Sequence, residues 1–271
     1  MKIKELQYNI VAHNRIFKKY ERMHIEIFNS IEQTRLRNCL KRAINDIKSI
    51  SQEKISLDYG CGSGNLTNHL LGLGMRVVSA DVSDNFLNLM KMKFKDSNKS
   101  EILKINGNDL SSINDGSFDL VAAYSVLHHV PDYLHILNEF IRVVKPGGII
   151  YIDHERSEDF WKKTLVYMNF LKLSGATSFF NKNNLKKYLK PLNYMHGIRR
   201  LFDCRYQSEG DIHVWPDDHI EWTRIEDVFS SQGCEIVLKE NYLLYKKYPL
   251  EIYEVFKNKC NDCCLMIARK K

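Results

Sequence analysis

The sequence predicts an α/β protein built on a doubly wound parallel sheet, and three observations carry that prediction. Between about residues 52 and 154, short apolar runs alternate with segments whose apolar residues recur at helical spacing. The first run, residues 55–58, leads into glycines at alternate positions, Gly60, Gly62 and Gly64. Alternating strands and helices favour a parallel sheet with both faces covered. Right-handed crossovers then place a ligand crevice at the carboxyl ends of the strands.

The glycine turn is the most specific local feature. Glycines at this spacing let the backbone adopt positive φ and let a ligand approach the main chain. A helix expected from about Asn65 would present its free amide groups to an anionic part of that ligand. The third glycine comes one residue too early for the dinucleotide fingerprint G-x-G-x-x-G. Asp58, at the end of the strand, would repel a pyrophosphate but suits the sulfonium and ammonium groups of S-adenosylmethionine.

The later elements of the block follow in order. A second strand is expected over residues 75–80, and a second helix from Ser83. A fourth helix is expected from about Pro131, ending before Pro146 and Gly147. The apolar residues at helical spacing in these two helices are Phe86, Leu87, Met90, Ile136, Leu137, Phe140, Ile141 and Val144.

The segments that flank the block are expected to be largely helical. Ser30 and Gln33 form a capping-box pattern ahead of an amphipathic helix. Residues 155–218 interrupt the alternation and show helical patterns at 159–173 and near 183–189. We interpret 155–218 as a cap over an acceptor site, because insertions in α/β enzymes lie above the strand ends. A helix over about 220–230 and strands at 234–245 and 262–269 complete the chain.

Four motifs in one order link this block to a known family. They are the glycine turn, the acid Asp81 that closes the second strand, the turn at 106–110, and the pair of segments 118–132 and 142–155. Together they resemble the class I S-adenosylmethionine-dependent methyltransferases, particularly the small-molecule branch that includes quinone-biosynthesis enzymes. The resemblance covers about residues 50–155.

The resemblance implies a seven-stranded Rossmann-like sheet, with N-terminal helices over the cofactor and a helical cap inserted after strand five. We therefore divide the chain into an N-terminal helical segment (1–50), a cofactor-binding core (51–154), the cap (155–218) and the end of the core (219–271). The resemblance also implies that Asp81 holds the ribose hydroxyls and that the turn at 106–110 contacts adenine. The implied cofactor-binding residues are Asp58, Gly60, Cys61, Gly62, Asp81, Val82, Asn108, Asp109, Leu110, Tyr124, Ser125, His129 and Tyr20.

The implied activity is methyl transfer from S-adenosylmethionine to a small-molecule acceptor, with O-methylation favoured and S-adenosylhomocysteine as product. Such a transfer is an in-line displacement, so alignment of the reactants supplies much of the acceleration. A hydroxyl acceptor also needs a base, and histidine suits that task. We favour His154, because it follows the fifth strand at the crevice. His213 and His219, where the cap returns to the core, are the other candidates.

Three further expectations concern residues near this site. His129 is expected near the methionine end of the cofactor, and His128 is expected to face the core. A metal held by His154, Glu155, His213 and Asp217 is an alternative, but no motif fixes these residues relative to one another, and we expect no metal.

Other functional classes fit less well. A nicotinamide-dependent oxidoreductase would require the missing glycine spacing. A nucleic-acid methyltransferase would carry an Asp-Pro-Pro-Tyr or Asn-Pro-Pro-Tyr tetrad after the fourth strand, where this chain has SVLH. A non-catalytic subunit that binds cofactor stays open as an alternative.

Composition sets the remaining bounds. The formal charge of +7 is a mild excess for 271 residues, and we assign the lysines to solvated helix faces. No apolar run is long enough to span a bilayer, and no secretory signal opens the chain, so a cytoplasmic location is expected. The seven scattered cysteines, including the Cys260/Cys263 C-x-x-C, are expected to be structural thiols. The sequence leaves the oligomeric state open.

Overall fold

The computed structural model describes residues 2–176, 191–203, 206–207 and 210–271. These residues contain a seven-stranded sheet with the order β3-β2-β1-β4-β5-β7-β6. The first five strands run parallel, and β7 is antiparallel to both of its neighbours. The strands are β1 (Ile55–Tyr59), β2 (Arg76–Asp81), β3 (Ser100–Lys104), β4 (Phe118–Tyr124), β5 (Val144–Arg156), β6 (Cys234–Tyr242) and β7 (Cys263–Lys270). The predicted doubly wound seven-stranded sheet is confirmed.

Helices precede the sheet, cover both of its faces and follow β5. Four helices come before β1: α1 (Lys2–Ile16), α2 (Tyr20–Met23), α3 (Ile25–Phe28) and α4 (Ser30–Asn45). A 3₁₀ turn at Phe17–Lys19 joins α1 to α2. Within the sheet region lie α5 (Asn65–Gly72), α6 (Asp84–Lys93) and α7 (Tyr133–Val143). After β5 come α8 (Glu158–Lys162), α9 (Leu165–Leu173), α10 (Pro191–Phe202), α11 (Trp222–Ser231) and α12 (Leu250–Phe256).

Two apolar layers sandwich the sheet. On one face, α7 and α11 bury residues such as Phe140 and Phe229 against the central strands. On the other face, α4 and α5 bury Leu36, Leu40 and Leu70. Every residue of β4 is buried, as expected for a strand covered on both sides. This sandwich fixes the carboxyl ends of β1, β2, β4 and β5 at one edge, where the site lies.

The start of α4 differs from the prediction. Asn29, rather than Ser30, caps the helix: its backbone is extended, and its side-chain oxygen accepts a hydrogen bond from the Glu32 amide at 3.0 Å. Gln33 therefore does not complete a capping box, and its amide donates to the Ile27 carbonyl instead. The capping chemistry was correct in kind and wrong by one residue, because Asn29 satisfies the same free amides.

The segment after β5 also differs in detail. The helix predicted over 159–173 is two helices, α8 and α9, separated where Lys163 adopts the left-handed conformation with φ of 49°. The Thr164 side chain then caps α9 by accepting from the Tyr167 amide. The helix predicted near 183–189 lies outside the described residues. None of the described helices combines the length and apolar character needed to cross a bilayer.

The N-terminal helices contact the strand ends directly. Asn9 donates to the His129 carbonyl at 3.2 Å, and the Ser83 hydroxyl donates to Asn14 Oδ1 at 2.6 Å. The ring centroids of Tyr20 and Phe86 lie 5.5 Å apart, edge to face. We refer to residues 2–28 as the strap, because they cross over the ends of β2 and β4.

Candidate active site

Two adjoining cavities open at the carboxyl edge of the sheet. The first lies between the glycine turn, the ends of β2 and β4, and the strap. The second lies between the strap, the ends of β4 and β5, and the segment after β5. Residues that line both are His13, Tyr20, Ser125 and His129. A ligand in one cavity can therefore meet a ligand in the other.

Each glycine of the turn has a left-handed backbone, but the space around the three glycines differs. A Cβ atom on Gly60, at φ +71°, would lie 2.1 Å from Val126 Cγ2. A Cβ atom on Gly64 would lie 2.5 Å from Met90 Sδ. Gly62, at φ +49°, would meet nothing closer than a carbonyl oxygen 4.0 Å away, and it lines the first cavity. Gly60 and Gly64 thus allow the turn to close, whereas Gly62 leaves space for a ligand.

Two buried acids flank this turn. Asp58 accepts from the Thr67 hydroxyl at 2.6 Å, and burial raises the pKa of its carboxyl to about 7. Asp81 accepts from the Gly62 amide at 2.9 Å and the Ser83 amide at 2.8 Å. Burial raises the pKa of Asp81 as well, although these amides oppose the shift. Both carboxylates gain from a ligand that brings positive charge or hydroxyl donors.

The first cavity also contains buried polar atoms that have no hydrogen-bond partner among the described residues. They are Asn9 Oδ1, Ser63 Oγ, Asn65 Nδ2 and His129 Nδ1. Buried polar atoms are normally hydrogen-bonded, so this set matches a ligand rich in polar groups. Together with the two acids and the open space at Gly62, it fits S-adenosylmethionine, which carries hydroxyl groups, an amino-acid end and a positive charge.

Most of the residues predicted to bind cofactor line this cavity. They are Tyr20, Asp58, Gly60, Cys61, Gly62, Asp81, Val82, Tyr124, Ser125 and His129. Asn108, Asp109 and Leu110 do not. Asp109 instead closes its own turn by accepting from Asn106 and Ser111, and Leu110 is buried in the core.

From the turn at 106–110, which was expected to line the cavity, Gly107 does so, and Ile105, immediately before the turn, lines it as well. The strap residues Leu6, Asn9 and His13 also line it, and sequence reasoning missed them. The aromatic residues Phe17, Tyr20 and Phe28 were the available signal, but they follow these three residues in the chain.

Histidines dominate the second cavity, which is lined by six of the chain's ten: His13, His24, His128, His129, His154 and His213. Their surroundings differ sharply. Burial lowers the pKa of His13 to about 4 and that of His129 well below its usual value, and neighbouring histidines lower both further. These two imidazoles, which also line the first cavity, are neutral near pH 7.

His128 is the exception. Its Nδ1 lies 2.7 Å from Glu155 Oε2, and the other carboxylate oxygen accepts from the amides of Val126 and Leu127. Burial alone would lower the pKa of His128, but the charge and hydrogen bond of Glu155 raise it to about 9. The expectation that His128 faces the core was therefore wrong: it lines the second cavity. Because Nδ1 bonds the carboxylate, Nε2 is the nitrogen free to act on a ligand, and no described residue bonds it.

His154 lines the same cavity in a strained conformation. Its φ is +64°, its amide donates to Asp153 Oδ1 at 2.7 Å, and its ring lies 4.9 Å from that of Tyr124. Its buried Nε2 has no hydrogen-bond partner in the part of the chain that the structure describes. Burial, followed by the charge of Arg156, lowers its pKa well below the usual value, so the ring is neutral. Strain of this kind in a non-glycine residue is common at functional sites.

The other two predicted bases are placed less favourably. Both ring nitrogens of His213 face backbone carbonyls, those of Asp218 and Val130, so neither is free to take a proton from a ligand. His219 stacks on Trp161 with centroids 5.0 Å apart and is absent from the lining of both cavities. Among the described residues, no three histidine, cysteine or acidic side chains are placed to share a metal ion.

A buried polar network supports both cavities from below. Arg35 donates to Asp153 at 2.9 Å and to the Tyr242 hydroxyl at 3.0 Å, and it is ion-paired with Glu32. Tyr124, which lines the first cavity, donates to Glu32 at 2.8 Å. Burial would lower the pKa of the guanidinium, but Asp153 and its neighbours raise it. One fixed cation thus holds two buried carboxylates in place.

Comparison with known proteins identifies methyltransferases as relatives of this chain. Residues 57–152 match the family described as "Methyltransferase domain". The demethylmenaquinone methyltransferase of Bacillus subtilis (strain 168) is 30% identical over 179 residues, which cover 64% of this chain and 73% of that protein. The ubiquinone biosynthesis O-methyltransferase of Thiobacillus denitrificans is 33% identical over 96 residues, 35% of this chain and 41% of that protein.

Solved structures agree on the fold. The YcgJ protein from Bacillus subtilis superimposes with a TM-score of 0.54 at 13% identity, over 88% of this chain and 99% of that one. At this identity the likeness concerns the fold alone.

Proposed function

The chain belongs to the class I S-adenosylmethionine-dependent methyltransferases, and from that premise we propose that it methylates a hydroxyl group on a small molecule bound in the second cavity. The enzyme's cofactor is S-adenosylmethionine, which supplies an electrophilic methyl group when bound. The observation that carries the proposal is the His128–Glu155 pair, whose imidazole lines the second cavity next to His129, a residue that lines both cavities.

We place the cofactor in the first cavity. Asp81, fixed by two amides, is positioned to accept from ribose hydroxyls, and Gly62 leaves room for the ligand beside it. Asp58 provides a carboxylate that a bound cation would keep ionised. His129 and Tyr20 line both cavities, so they would hold the reacting ends of the cofactor and the acceptor together.

His128 would act as the base. With Nδ1–H donating to Glu155, the lone pair on Nε2 can take the acceptor's hydroxyl proton as the oxygen attacks the methyl carbon. Glu155 then stabilises the imidazolium, as its effect on the pKa of His128 indicates. A base with a pKa of about 9 is close to a phenol of about 10, so the proton transfer is nearly balanced.

His154 stays a candidate, and its neutral ring with a free Nε2 supports it. Its depressed pKa makes it a weaker proton acceptor than His128, which is why we favour His128. Oxygen is favoured as the acceptor atom because a base in this position serves a hydroxyl, and because one relative is named as an O-methyltransferase.

The test begins by finding the acceptor. Protein incubated with methyl-labelled S-adenosylmethionine and a small-molecule extract of the source cells should yield a labelled product, identified by mass spectrometry. Absence of any labelled product, with cofactor binding intact, would favour a non-catalytic role.

The acceptor then allows the base to be tested. His128→Ala should lower kcat by about 10²- to 10⁴-fold with little change in cofactor affinity. kcat/KM should rise with pH up to about 9, because the imidazole must lose its proton before it can accept another. Glu155→Gln should move that rise to lower pH. A full loss of activity in His154→Ala with an active His128→Ala would assign the base to His154 instead.

A further inference from the structure

Three cationic side chains line the second cavity on the side of β5 and the segment after it: Arg156, Lys163 and Lys246. Arg156 Nη1 and Lys246 Nζ lie 3.7 Å and 3.1 Å from the same oxygen, Oδ2 of Asp262. Asp262 is fully buried and is fixed by the Leu244 amide. Two cations therefore share one carboxylate. They lie close enough together for one anionic group to contact both.

The carboxylates that face the cavity have their own partners. Glu26 pairs with His24 at 3.0 Å, and Lys246 also helps to lower the pKa of Glu26. Asp211 lies near both the His128 imidazole and Arg156, whereas Glu155, which pairs with His128, does not line the cavity. Lys163 has no ion pair with any described residue. Three cations, Arg156, Lys163 and Lys246, thus line the cavity against two carboxylates, Glu26 and Asp211, so positive charge is in excess on its lining.

The pKa of the neighbouring His154 imidazole reflects this excess of positive charge. After burial, the largest contributions that depress the pKa of His154 come from the cations Arg156, Arg35 and Lys246. The potential at this part of the cavity lining is therefore positive, which favours an anion there.

Two indole groups on the cavity lining point to the same kind of ligand. Trp161 Nε1 and Trp215 Nε1 are both buried without a hydrogen-bond partner among the described residues. An indole N–H can only donate, so each requires an acceptor atom. Phe160, whose ring packs 4.4 Å from the Arg156 guanidinium carbon, adds an apolar surface beside these donors. Cations, orphaned donors and aromatic rings together suit a ring-bearing molecule with an anionic oxygen group.

We propose that the acceptor carries a carboxylate or phosphate group in addition to the methylated hydroxyl, and that Arg156 and Lys246 bind this group with help from Trp161 and Trp215. This inference rests on the proposed function, because it assigns the second cavity to the acceptor. The anionic group would anchor the molecule and leave its hydroxyl to face His128.

The experiment measures binding of probe anions to protein saturated with S-adenosylhomocysteine. Calorimetry compares benzoate and phenyl phosphate with the uncharged benzamide and phenol. At least one anion should bind about tenfold more tightly than its neutral counterpart, as expected for a hydrogen-bonded charge pair. Which anion binds more tightly separates a carboxylate from a phosphate acceptor.

Arg156→Gln and Lys246→Gln should each erase most of that preference, and each leaves Asp262 one remaining cation. Lys162→Gln is the matched control, because Lys162 adjoins Lys163 but pairs with Glu158 and does not line the cavity. Equal binding of charged and neutral probes, no binding of either anion, or a preference that survives in both variants would overturn the inference. Binding of S-adenosylhomocysteine is measured separately, so its failure would count against the proposed function rather than against the anion site.

Discussion

The two cavities are built in different ways. The first relies on backbone turns and two acids that end neighbouring strands, contributed by short stretches around Asp58, Asp81 and Tyr124, with the strap closing over them. The second is assembled from side chains that span the chain from His13 to Lys246. Local geometry therefore specifies how the cofactor is held, whereas the acceptor depends on which side chains the fold brings together. The same fold can therefore retain the cofactor cavity while the side chains of the acceptor cavity vary.

His128 and His129 show this contrast within two consecutive residues. Their ring centroids are 4.1 Å apart, yet the pKa of His128 is raised and that of His129 is lowered. The difference comes from Glu155, which is hydrogen-bonded to the ring of His128 and not to that of His129. Chemistry in the second cavity is thus set by tertiary partners rather than by the motif itself.

The largest effect should come from breaking the support that the two cavities share. Arg35→Met would leave Glu32 and Asp153 buried without their cation, and should lower the free energy of unfolding by about 3–5 kcal/mol. Urea denaturation measures this. Arg37→Met is the control on the same helix, because Arg37 donates an exposed 3.4 Å hydrogen bond to the Gly72 carbonyl and has no ion pair with any described residue. Similar small losses in both variants would show that the network is not needed for stability.

The second prediction compares an acid that lines the first cavity with an acid that does not. Asp81→Ala should weaken cofactor binding by about 1–3 kcal/mol, since buried ribose hydroxyls would lose a charged acceptor. Asp109→Ala should leave affinity nearly unchanged, because its carboxylate bonds within its own turn. Calorimetry with S-adenosylhomocysteine compares them. An equal loss of affinity in Asp109→Ala would support the contact with adenine that the sequence predicted for this residue.

These outcomes reflect what sequence alone could establish. Glycine spacing and acids at strand ends are local signals, so Gly62 and Asp81 could be identified before the fold was known. The break at Lys163 had no such signal, because neither glycine nor proline marks it. His128 follows β4 and Glu155 lies in β5, and these strands are parallel neighbours. Their pairing could have been inferred from sheet order, but their hydrogen bond required side-chain positions.

A pair of glycines can separate the strain of the turn from the space it leaves. Gly62 and Gly116 both have positive φ with open space around a Cβ atom, but only Gly62 lines the first cavity. Alanine at either position should cost about 1–2 kcal/mol of stability through backbone strain. Only Gly62→Ala should also lower cofactor affinity, by about tenfold, or 1.4 kcal/mol. Unchanged affinity in Gly62→Ala would place the ligand elsewhere.

The smallest expected effect is a pH dependence confined to the first cavity. Burial raises the pKa of Asp58 to about 7 from 3.8, so the folded protein without ligand holds a proton that the unfolded chain releases. Stability from this group is therefore present at low pH and is lost as pH rises through about 7. A bound cation favours the carboxylate instead, so affinity for S-adenosylmethionine should rise by at most tenfold per pH unit up to about pH 7 and level off above it. Asp58→Asn should flatten this rise, while leaving the rise in kcat/KM near pH 9, set by His128 in the second cavity, in place. Calorimetry in buffers of different ionisation enthalpy counts the released proton, and an affinity in the native protein that does not vary with pH would show that the carboxyl of Asp58 does not face the cofactor's charge.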